Sequence, residues 1–253
     1  MPPFHSHTLM GSSGQSSGGA GSDAGKTNAT HFYKPGDSGG TDLVGSMDLT
    51  LINGTSAGTT ETVSTIAGMT SARVNTGTTA RYSSSAGSSW NWSADDAFIG
   101  MFINPTDDNN GTRKFVEQGL NNDDRYLLWF TDNYSGDYRY DYPNPGYGSR
   151  YSESTSWASG GVSSGNWHYI RFGRHNADLR LEVWTHTGSA WPGSPNTNLT
   201  QSSGAGSGPA ANQSNSVISV FGAMWGSNRS IKGKWGNFGF YRYDGWGTAV
   251  PST

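Results

Sequence analysis

Short runs of alternating apolar and polar residues begin at about residue 42 and recur along the rest of the chain, with turn-forming residues between them. A period of two is typical of antiparallel strands in a sandwich or barrel, and no run of helical period competes with it. We therefore expect an all-β protein. The pattern predicts strands over residues 46–52, 61–66, 79–83, 96–104, 113–118, 125–131, 138–142, 167–174, 179–185, 217–225 and 234–243.

Two of these runs indicate how the strands are buried. Residues 97–103 are apolar on both faces, which is typical of a central strand covered on each side. The polar link 175–178 predicts a tight hairpin between the strands on either side of it. In the run 179–185 the alternation predicts one buried and one exposed face. The buried face holds Leu179, Leu181 and Val183, and the exposed face holds Arg180, Glu182 and Trp184.

The first part of the chain has a different composition, because residues 11–40 are rich in glycine and serine. This is the composition of a flexible linker, which buries too little apolar surface to fold alone. We expect residues 1–40 to form an extended N-terminal arm and residues 41–253 to form one β-sandwich domain. The arm is expected to attach the domain to a neighbouring subunit. The alternative is that the arm lies along its own domain.

Composition and charge exclude several classes of function. The net charge is -3 and no cluster of Lys and Arg is present, so we expect no nucleic-acid partner. The chain has no cysteine, which rules out disulfides, thiol nucleophiles and cysteine-ligated metals. The N-terminus lacks the basic and apolar segments of a signal peptide, and no apolar run approaches the roughly 20 residues of a membrane helix. Neither signal-dependent export nor membrane insertion is expected.

Three motifs carry a resemblance to a known family. Residues 92–103 place a polar lead-in before an apolar strand. Residues 165–172, with Trp167 and His168, are followed by the alternating run 178–183. Residues 221–223 and 232–243 give a glycine-led strand that ends in aromatic residues. The order of these motifs resembles the concanavalin A-like lectin/glucanase superfamily, in its laminin-G-like branch. The resemblance implies a two-sheet antiparallel jelly-roll sandwich over roughly residues 45–247.

Catalysis is not expected. Glucanases of this superfamily carry acidic residues spaced E-x-D-x-(x)-E along one strand, which sets two carboxylates at the separation that glycoside hydrolysis requires. Glutamate occurs here only at positions 61, 117, 153 and 182, and none of these has an acidic residue two positions away. No Gly-x-Ser-x-Gly elbow followed by a strand-to-helix turn supports a serine nucleophile. We therefore expect a protein that is not an enzyme.

Calcium is the one cofactor that the sequence leaves open. Related lectin and laminin-G-like domains often hold Ca²⁺ at a loop rim through Asp and Asn oxygens. Two loops of this chain offer such ligands. The alternative is that both runs are ordinary hairpin turns. The candidate ligands are Asp107, Asp108 and Asn109 in the first loop, and Asp123 and Asp124 in the second.

Aromatic residues supply the candidate contact surface. Tyr138, Tyr140 and Tyr142 share one face of a predicted strand. Such a face can stack on a sugar ring or form the aromatic centre of a subunit interface. The third possibility is that the same tyrosines pack in the core under the neighbouring sheet. Tyr147, Trp184 and Trp225 are further candidates for a glycan or interface contact.

Together these features favour a structural protein of a bacteriophage or similar virion, such as a capsid decoration, a head fibre or a tail appendage. We expect the arm to bind other virion proteins, the chain to form a homo-oligomer, and the sandwich to contact surface glycans. The alternative is a free carbohydrate-binding lectin or adhesin domain. The fold alone does not decide between them, because this sandwich carries many unrelated functions.

Overall fold

The computed structural model describes residues 23–85, 97–106, 113–119, 125–131, 137–143, 150–156, 162–175, 178–201, 217–222, 224, 229–242 and 250. These residues are all-β apart from one short 3-10 helix, Gly54–Ser56. Their strands are β1 (Ala29–Tyr33), β2 (Thr50–Ile52), β3 (Thr59–Thr62), β4 (Ser71–Asn75), β5 (Arg81–Ser83), β6 (Ala97–Pro105), β7 (Arg113–Gly119), β8 (Arg125–Thr131), β9 (Asp137–Pro143), β10 (Arg150–Ser156), β11 (His168–His175), β12 (Asp178–Thr185), β13 (Thr197–Gln201), β14 (Val217–Val220) and β15 (Gly233–Arg242).

The strands form two antiparallel sheets. The front sheet has the order β13-β12-β11-β6-β15-β4-β3, and β1 also pairs with β15. The back sheet has the order β10-β9-β8-β7-β14-β5-β2. The predicted two-sheet antiparallel sandwich is thus confirmed. No helix in the described part of the chain is long and apolar enough to cross a membrane.

The main core lies between the sheets. Strand β6 runs through the middle of the front sheet between β11 and β15, and all its residues are buried, as the two-faced apolar run predicted. Its inner face packs with residues of β11, β12 and β15 against the back sheet. From the front sheet the core takes Ile99, Met101, Ile103, Ile170, Phe172, Leu181, Val183, Trp235, Phe238 and Phe240, and from the back sheet it takes Tyr82, Phe115, Val116, Ile218 and Val220.

A second apolar cluster covers the outer face of the front sheet, the face turned away from the back sheet. We call it the outer cluster. Its sheet residues are Ala72, Phe102, Tyr169 and Trp184, and its other members are Ala24, Val63, Ile66, Met69, Trp167, Trp191 and Val250. The predicted exposure of Trp184 is therefore wrong, since its side chain is 0% exposed. The alternation does point Trp184 away from the main core, but segments distant in sequence fold over it.

The N-terminal part of the sandwich begins earlier than the sequence predicts. Strand β1 pairs with β15, and Phe32 and Tyr33 are both 0% exposed. The Tyr33 ring stacks on Phe238 with centroids 4.6 Å apart, and its hydroxyl donates to the Met47 carbonyl at 2.6 Å. The predicted boundary at residue 40 is therefore wrong, because pairing with β15 holds residues 29–33 in the sheet. Residues 1–22 of the predicted arm lie outside the described residues.

Several other strands differ from the prediction. The hairpin is confirmed, since β11 and β12 pair from His168↔Thr185 to His175↔Asp178. The run expected over residues 61–66 forms β3 only as far as Thr62, and its continuation turns so that Val63 and Ile66 enter the outer cluster. Strands β1, β4, β10 and β13 were not predicted. They complete the two sheets at positions where the sequence shows little alternation.

Candidate functional site

A pocket of about 320 Å³ opens at one end of the outer face of the front sheet. We call it the outer-face pocket. Strands β6 and β12 end there, and β11 and β15 begin there, so the pocket gathers residues from four strand ends and from β3. The described lining residues are Glu61, Thr62, Val63, Ser64, Thr65, Asn104, Gly165, Asn166, Trp167, His186, Gly188 and Lys234. Most of these lining residues are polar, and they lie at the edge of the outer cluster.

Hydrogen bonds of the turn before β11 shape one wall of the pocket. The Asn104 side-chain amide donates to the Gly165 carbonyl at 3.0 Å, and the Gly165 N–H donates to the Pro105 carbonyl at 2.9 Å. Gly165 adopts a left-handed φ of 76°, which glycine takes without strain. The Asn166 amide donates to the Ser163 hydroxyl at 2.8 Å. These bonds fix the amide groups of Asn104 and Asn166 at the wall.

An ion pair forms the opposite side. The Lys234 ammonium donates to Glu61 Oε1 at 2.5 Å, which joins the start of β15 to β3 across β4. Both side chains remain in contact with solvent, at 32% exposure for Lys234 and 48% for Glu61. The pair is therefore reachable by a ligand. Its two charges cancel within the pocket.

Aromatic rings close the remaining side. The Trp167 carbonyl accepts the His186 N–H at 2.8 Å, which extends the pairing of β11 and β12 beyond Thr185. The His186 ring lies edge-on to Trp191 with centroids 4.9 Å apart. Its Nδ1 accepts the Gly188 N–H at 3.2 Å, so a neutral ring carries its proton on Nε2. Desolvation by burial lowers the pKa of His186, and this favours the neutral ring.

A buried histidine, His168, links β12 to the turn before β11 at this end of the front sheet. His168 is 0% exposed, with Nδ1 3.0 Å from the Thr185 hydroxyl and Nε2 2.8 Å from the Ser163 carbonyl. The carbonyl oxygen can only accept a hydrogen bond, and it is closer to Nε2 than the Ser163 N–H at 3.2 Å, so we assign the ring proton to Nε2 and let the threonine hydroxyl donate to Nδ1. Desolvation by burial lowers the pKa of His168 to about 4. The neutral ring thus ties the turn before β11 to β12.

The chemistry of the pocket suits binding of a hydroxylated ligand. Amide, ammonium and carboxylate groups can donate to and accept from hydroxyls, and Trp167, 7% exposed, lies at the apolar edge of the pocket. Among the described lining residues, Glu61 and Lys234 are the charged pair, and they offset each other. A mixture of an aromatic ring with fixed polar groups is the arrangement that orients a polar ring-shaped ligand.

The residues predicted from sequence fall elsewhere. Tyr138, Tyr140 and Tyr142 do lie on a strand, β9 of the back sheet, but their side chains are outside the described part of the structure. Trp184 is buried under the outer cluster and does not reach a surface ligand. The remaining candidates, Tyr147, Trp225, Asp107, Asp108, Asn109, Asp123 and Asp124, lie outside the described residues. Calcium at these loops stays a prediction.

Within the described residues, no group of three or more His, Asp or Glu side chains is placed to hold a metal ion. Sequence reasoning missed the outer-face pocket, although it singled out the segment 165–172 that forms one wall. The residues meet only because strands distant in sequence end together. Lys234 and Glu61, for example, are separated by most of the chain and share the pocket through β4.

Comparison with known proteins finds likeness in structure and not in sequence. No protein-family model matches the chain, and no curated protein matches it. Among solved structures, the enzymatically active domain of tailspike protein 2 from bacteriophage CBA120 is similar, with a TM-score of 0.53 at 12% identity over 77% of this chain and 28% of that chain. The binding domain of botulinum neurotoxin serotype D gives 0.53 at 9% identity over 85% of this chain and 48% of that chain.

A weaker match, with a TM-score of 0.42, is the CBM40 of a Ruminococcus gnavus sialidase, at 15% identity over 58% of this chain and 75% of that chain. At such low identities the tailspike and neurotoxin matches show the fold alone: a β-sandwich of a kind found in both proteins. The chain spans less than half the length of each of these two. Membership of the concanavalin A-like superfamily stays a prediction.

Proposed function

We propose that this chain is a non-enzymatic virion structural protein, of the tail-appendage, head-fibre or capsid-decoration kind, whose sandwich binds glycans of the host surface. The outer-face pocket is the observation that carries the glycan-binding part. It presents amides and a solvent-facing ion pair beside the largely buried Trp167, at one rim of the sandwich. Sites on strand ends of a packed scaffold hold a ligand in a defined orientation.

The virion part of the proposal draws support from two sources. The sandwich is similar to a domain of a bacteriophage tailspike protein. The Gly- and Ser-rich segment before residue 23 is suited to reach a neighbouring protein. In this proposal, residues 1–22 attach the domain to other virion proteins, and the sandwich projects outward.

The non-enzymatic part is supported by Glu61, Glu117 and Glu182, three glutamates whose side chains the structure describes and each of which is paired with a cation. Glu117 is fully buried beside Lys114 and accepts the Met224 N–H at 2.6 Å. Glu182 accepts from the Arg171 guanidinium, and Glu61 accepts from Lys234. A carboxylate held by a cation is a poor proton donor, and glycoside hydrolysis requires one carboxyl that donates and a second that acts beside it.

A second candidate is a free carbohydrate-binding lectin or adhesin domain. The likeness to the binding domain of a neurotoxin favours it, because that domain is a binding module outside any virion. The two candidates share the glycan-binding sandwich. They differ in whether the chain is a component of a particle.

Two measurements test the proposal. The full chain is applied to an array of bacterial surface polysaccharides, and any bound polysaccharide is sized after incubation with the protein. We expect binding with unchanged polymer length; shortened polymer would show an enzyme, and absence of binding would contradict the glycan-binding part. Particles from cells that express the gene are then purified on a density gradient and analysed by mass spectrometry. The chain should co-purify with them, whereas glycan binding without co-purification supports the free lectin.

A further inference from the structure

We propose that the outer-face pocket is specific for a neutral sugar residue and selects against acidic sugars. This inference rests on the proposed glycan-binding function and adds the class of ligand and the residues that select it. The observation that carries it is the Glu61–Lys234 pair. The positive charge of Lys234 is already balanced by the protein's own carboxylate, Glu61.

The size of the pocket limits the ligand. A volume of about 320 Å³ lies at the lower end of the roughly 300–1,000 Å³ of ligand pockets in proteins. A pocket of this size suits one terminal sugar residue, with the rest of the glycan outside. Its position at the rim, where strands end, leaves a route for the remaining chain to continue into solvent.

The charges of the pocket select for a neutral ligand. A sugar carboxylate would approach Lys234, but Glu61 already accepts a hydrogen bond from that ammonium at 2.5 Å. The incoming anion would have to displace Glu61 or lie beside it, and like charges in contact repel each other. The neutral His186 ring adds no compensating positive charge. Among the described lining residues, no other side chain carries a positive charge.

Neutral hydroxyls, in contrast, use the pair as it stands. The ammonium of Lys234 has three N–H groups, and Glu61 takes one of them. The carboxylate of Glu61 has lone pairs left to accept hydroxyl protons, and it is half exposed toward the opening. Neighbouring sugar hydroxyls can thus donate to Glu61 and accept from Lys234 without breaking the ion pair. The Asn104 and Asn166 amides complete the polar wall.

The test uses ligands that differ only in charge. Methyl glycosides of glucose, galactose and mannose are compared with the matching methyl uronides, in which a carboxylate replaces the exocyclic hydroxymethyl group. Saturation-transfer NMR on the full-length protein at neutral pH detects even weak binding. We expect at least one hexoside to bind, and to bind about ten-fold or more tightly than its uronide, which corresponds to about 1.4 kcal/mol.

Two variants locate the selectivity. Glu61→Gln removes the competing anion and frees Lys234, so the preference for the hexoside over the uronide should shrink or reverse. Lys234→Gln should weaken the hexoside and leave the uronide weak. Lys26→Gln is the matched control, since Lys26 is another surface lysine with an acidic neighbour, Asp23 at 3.8 Å, outside the lining residues. It should change neither ligand. Circular dichroism checks that each variant stays folded.

The outcomes separate this inference from the proposed function. A wild-type protein that prefers uronides overturns the inference and leaves glycan binding intact. An unchanged preference in Glu61→Gln overturns the assignment to this pocket. No saturation transfer from any glycoside, with polysaccharides bound on the array, also overturns it, because a single terminal residue is then not the ligand. An array without any bound polysaccharide contradicts the proposed function itself.

Discussion

Buried polar side chains help to fix the outer face of the front sheet. Asn237, at the bulge of β15, donates to the carbonyls of Ala24 at 3.2 Å and Gly68 at 3.3 Å. It thereby holds two of the segments that cover the outer cluster. A buried donor left without an acceptor costs about 1–3 kcal/mol, so such pairs specify where the covering segments lie.

His168 makes stability dependent on pH. Its folded pKa of about 4 lies below the value near 6.5 of an exposed histidine, because burial disfavours the charged ring. The unfolded chain therefore binds the proton more readily, and stability is lost as pH falls from about 6.5 toward 4. We expect a loss of about 3 kcal/mol over this window from His168. Urea unfolding at about pH 7.5, 6, 5 and 4 measures it.

The matched variant is His168→Gln, whose amide can donate to the Ser163 carbonyl and accept from the Thr185 hydroxyl without titrating. Its stability should vary less with pH over the same window. Asp37, with a pKa lowered to about 2, loses its contribution mainly below this range and acts alike in both proteins. Equal pH profiles for the two proteins would contradict the assignment.

Arg171 and Glu182 form a buried ion pair on facing positions of β11 and β12. The guanidinium Nε donates to Glu182 Oε2 at 2.7 Å and Nη2 lies 2.5 Å from the same oxygen, while the cation sits 4.8 Å from the Trp184 ring centroid. Glu182→Ala removes the carboxylate that pairs with the buried Arg171 guanidinium. We expect a loss of about 3–5 kcal/mol in the free energy of unfolding.

The double variant Arg171→Met with Glu182→Leu is the control for this pair. It removes both charges and keeps the volume, so it should be more stable than Glu182→Ala alone, because a buried pair replaced by apolar residues is often close to neutral. Denaturant unfolding of both proteins gives the comparison. A double variant no more stable than the single one would show that packing, and not charge, causes the loss.

At the scale of elements, the sequence predicted the strands whose own residues are apolar enough to require burial. β6 is apolar on both faces, and β12 alternates strictly, so both were found in place. β4 reads Ser-Ala-Arg-Val-Asn and β13 reads Thr-Asn-Leu-Thr-Gln, with little apolar signal. β4 forms a strand because it pairs with β15, and β13 because it pairs with β12. Whether a segment forms a strand depends on such neighbours.

The sequence predicted neither the outer-face pocket nor the burial of Trp184, and the reason is the same for both. The alternation along β12 predicts only that Trp184 and Val183 point to opposite faces of the sheet. That Ile66, Met69 and Trp191 cover the outer face depends on how loops from other parts of the chain fold back. These loops have neither strand nor helix periodicity, so their local sequence does not predict that contact.

Strand β1 is an element whose importance truncation can test. A chain that begins at Asp23 keeps every contact described above, whereas one that begins at Thr41 lacks β1. The shorter chain loses the burial of Phe32 and Tyr33, at about 1.5–3 kcal/mol each, and bares the edge of β15. We expect the chain from Thr41 to unfold at a lower temperature or to aggregate. Calorimetry of the two chains measures this.

Phe32→Ala in the full chain provides a check that does not remove the strand. A fully buried phenylalanine cut back to alanine costs about 3–5 kcal/mol. If both the chain from Thr41 and Phe32→Ala melt like the chain from Asp23, β1 adds nothing to the sandwich and the boundary predicted at residue 40 would be restored.

At the scale of the whole molecule, the first described residues and the pocket both lie on the outer face of the front sheet. The Tyr241 hydroxyl donates to the Gly25 carbonyl near the end of the β6–β15 ladder marked by Phe98↔Tyr241. The pocket lies at the other end, marked by Asn104↔Lys234. Six residues of strand separate these pairs, which is roughly 20 Å. The described lining residues of the pocket all fall between Glu61 and Lys234, separate from residues 1–22, to which we assign assembly.

This separation predicts that assembly and glycan binding can be removed independently. Light scattering should show a defined oligomer for the full chain and a folded monomer for the chain from Asp23, because residues 1–22 are proposed to make the contacts between subunits. Both chains should bind the same polysaccharides per pocket, since the lining residues are common to them. Two monomers of equal stability would remove assembly from the N-terminal segment and favour the free lectin. Loss of glycan binding in the shorter chain would instead place residues 1–22 in the binding site and contradict the assignment of binding to the described lining residues alone.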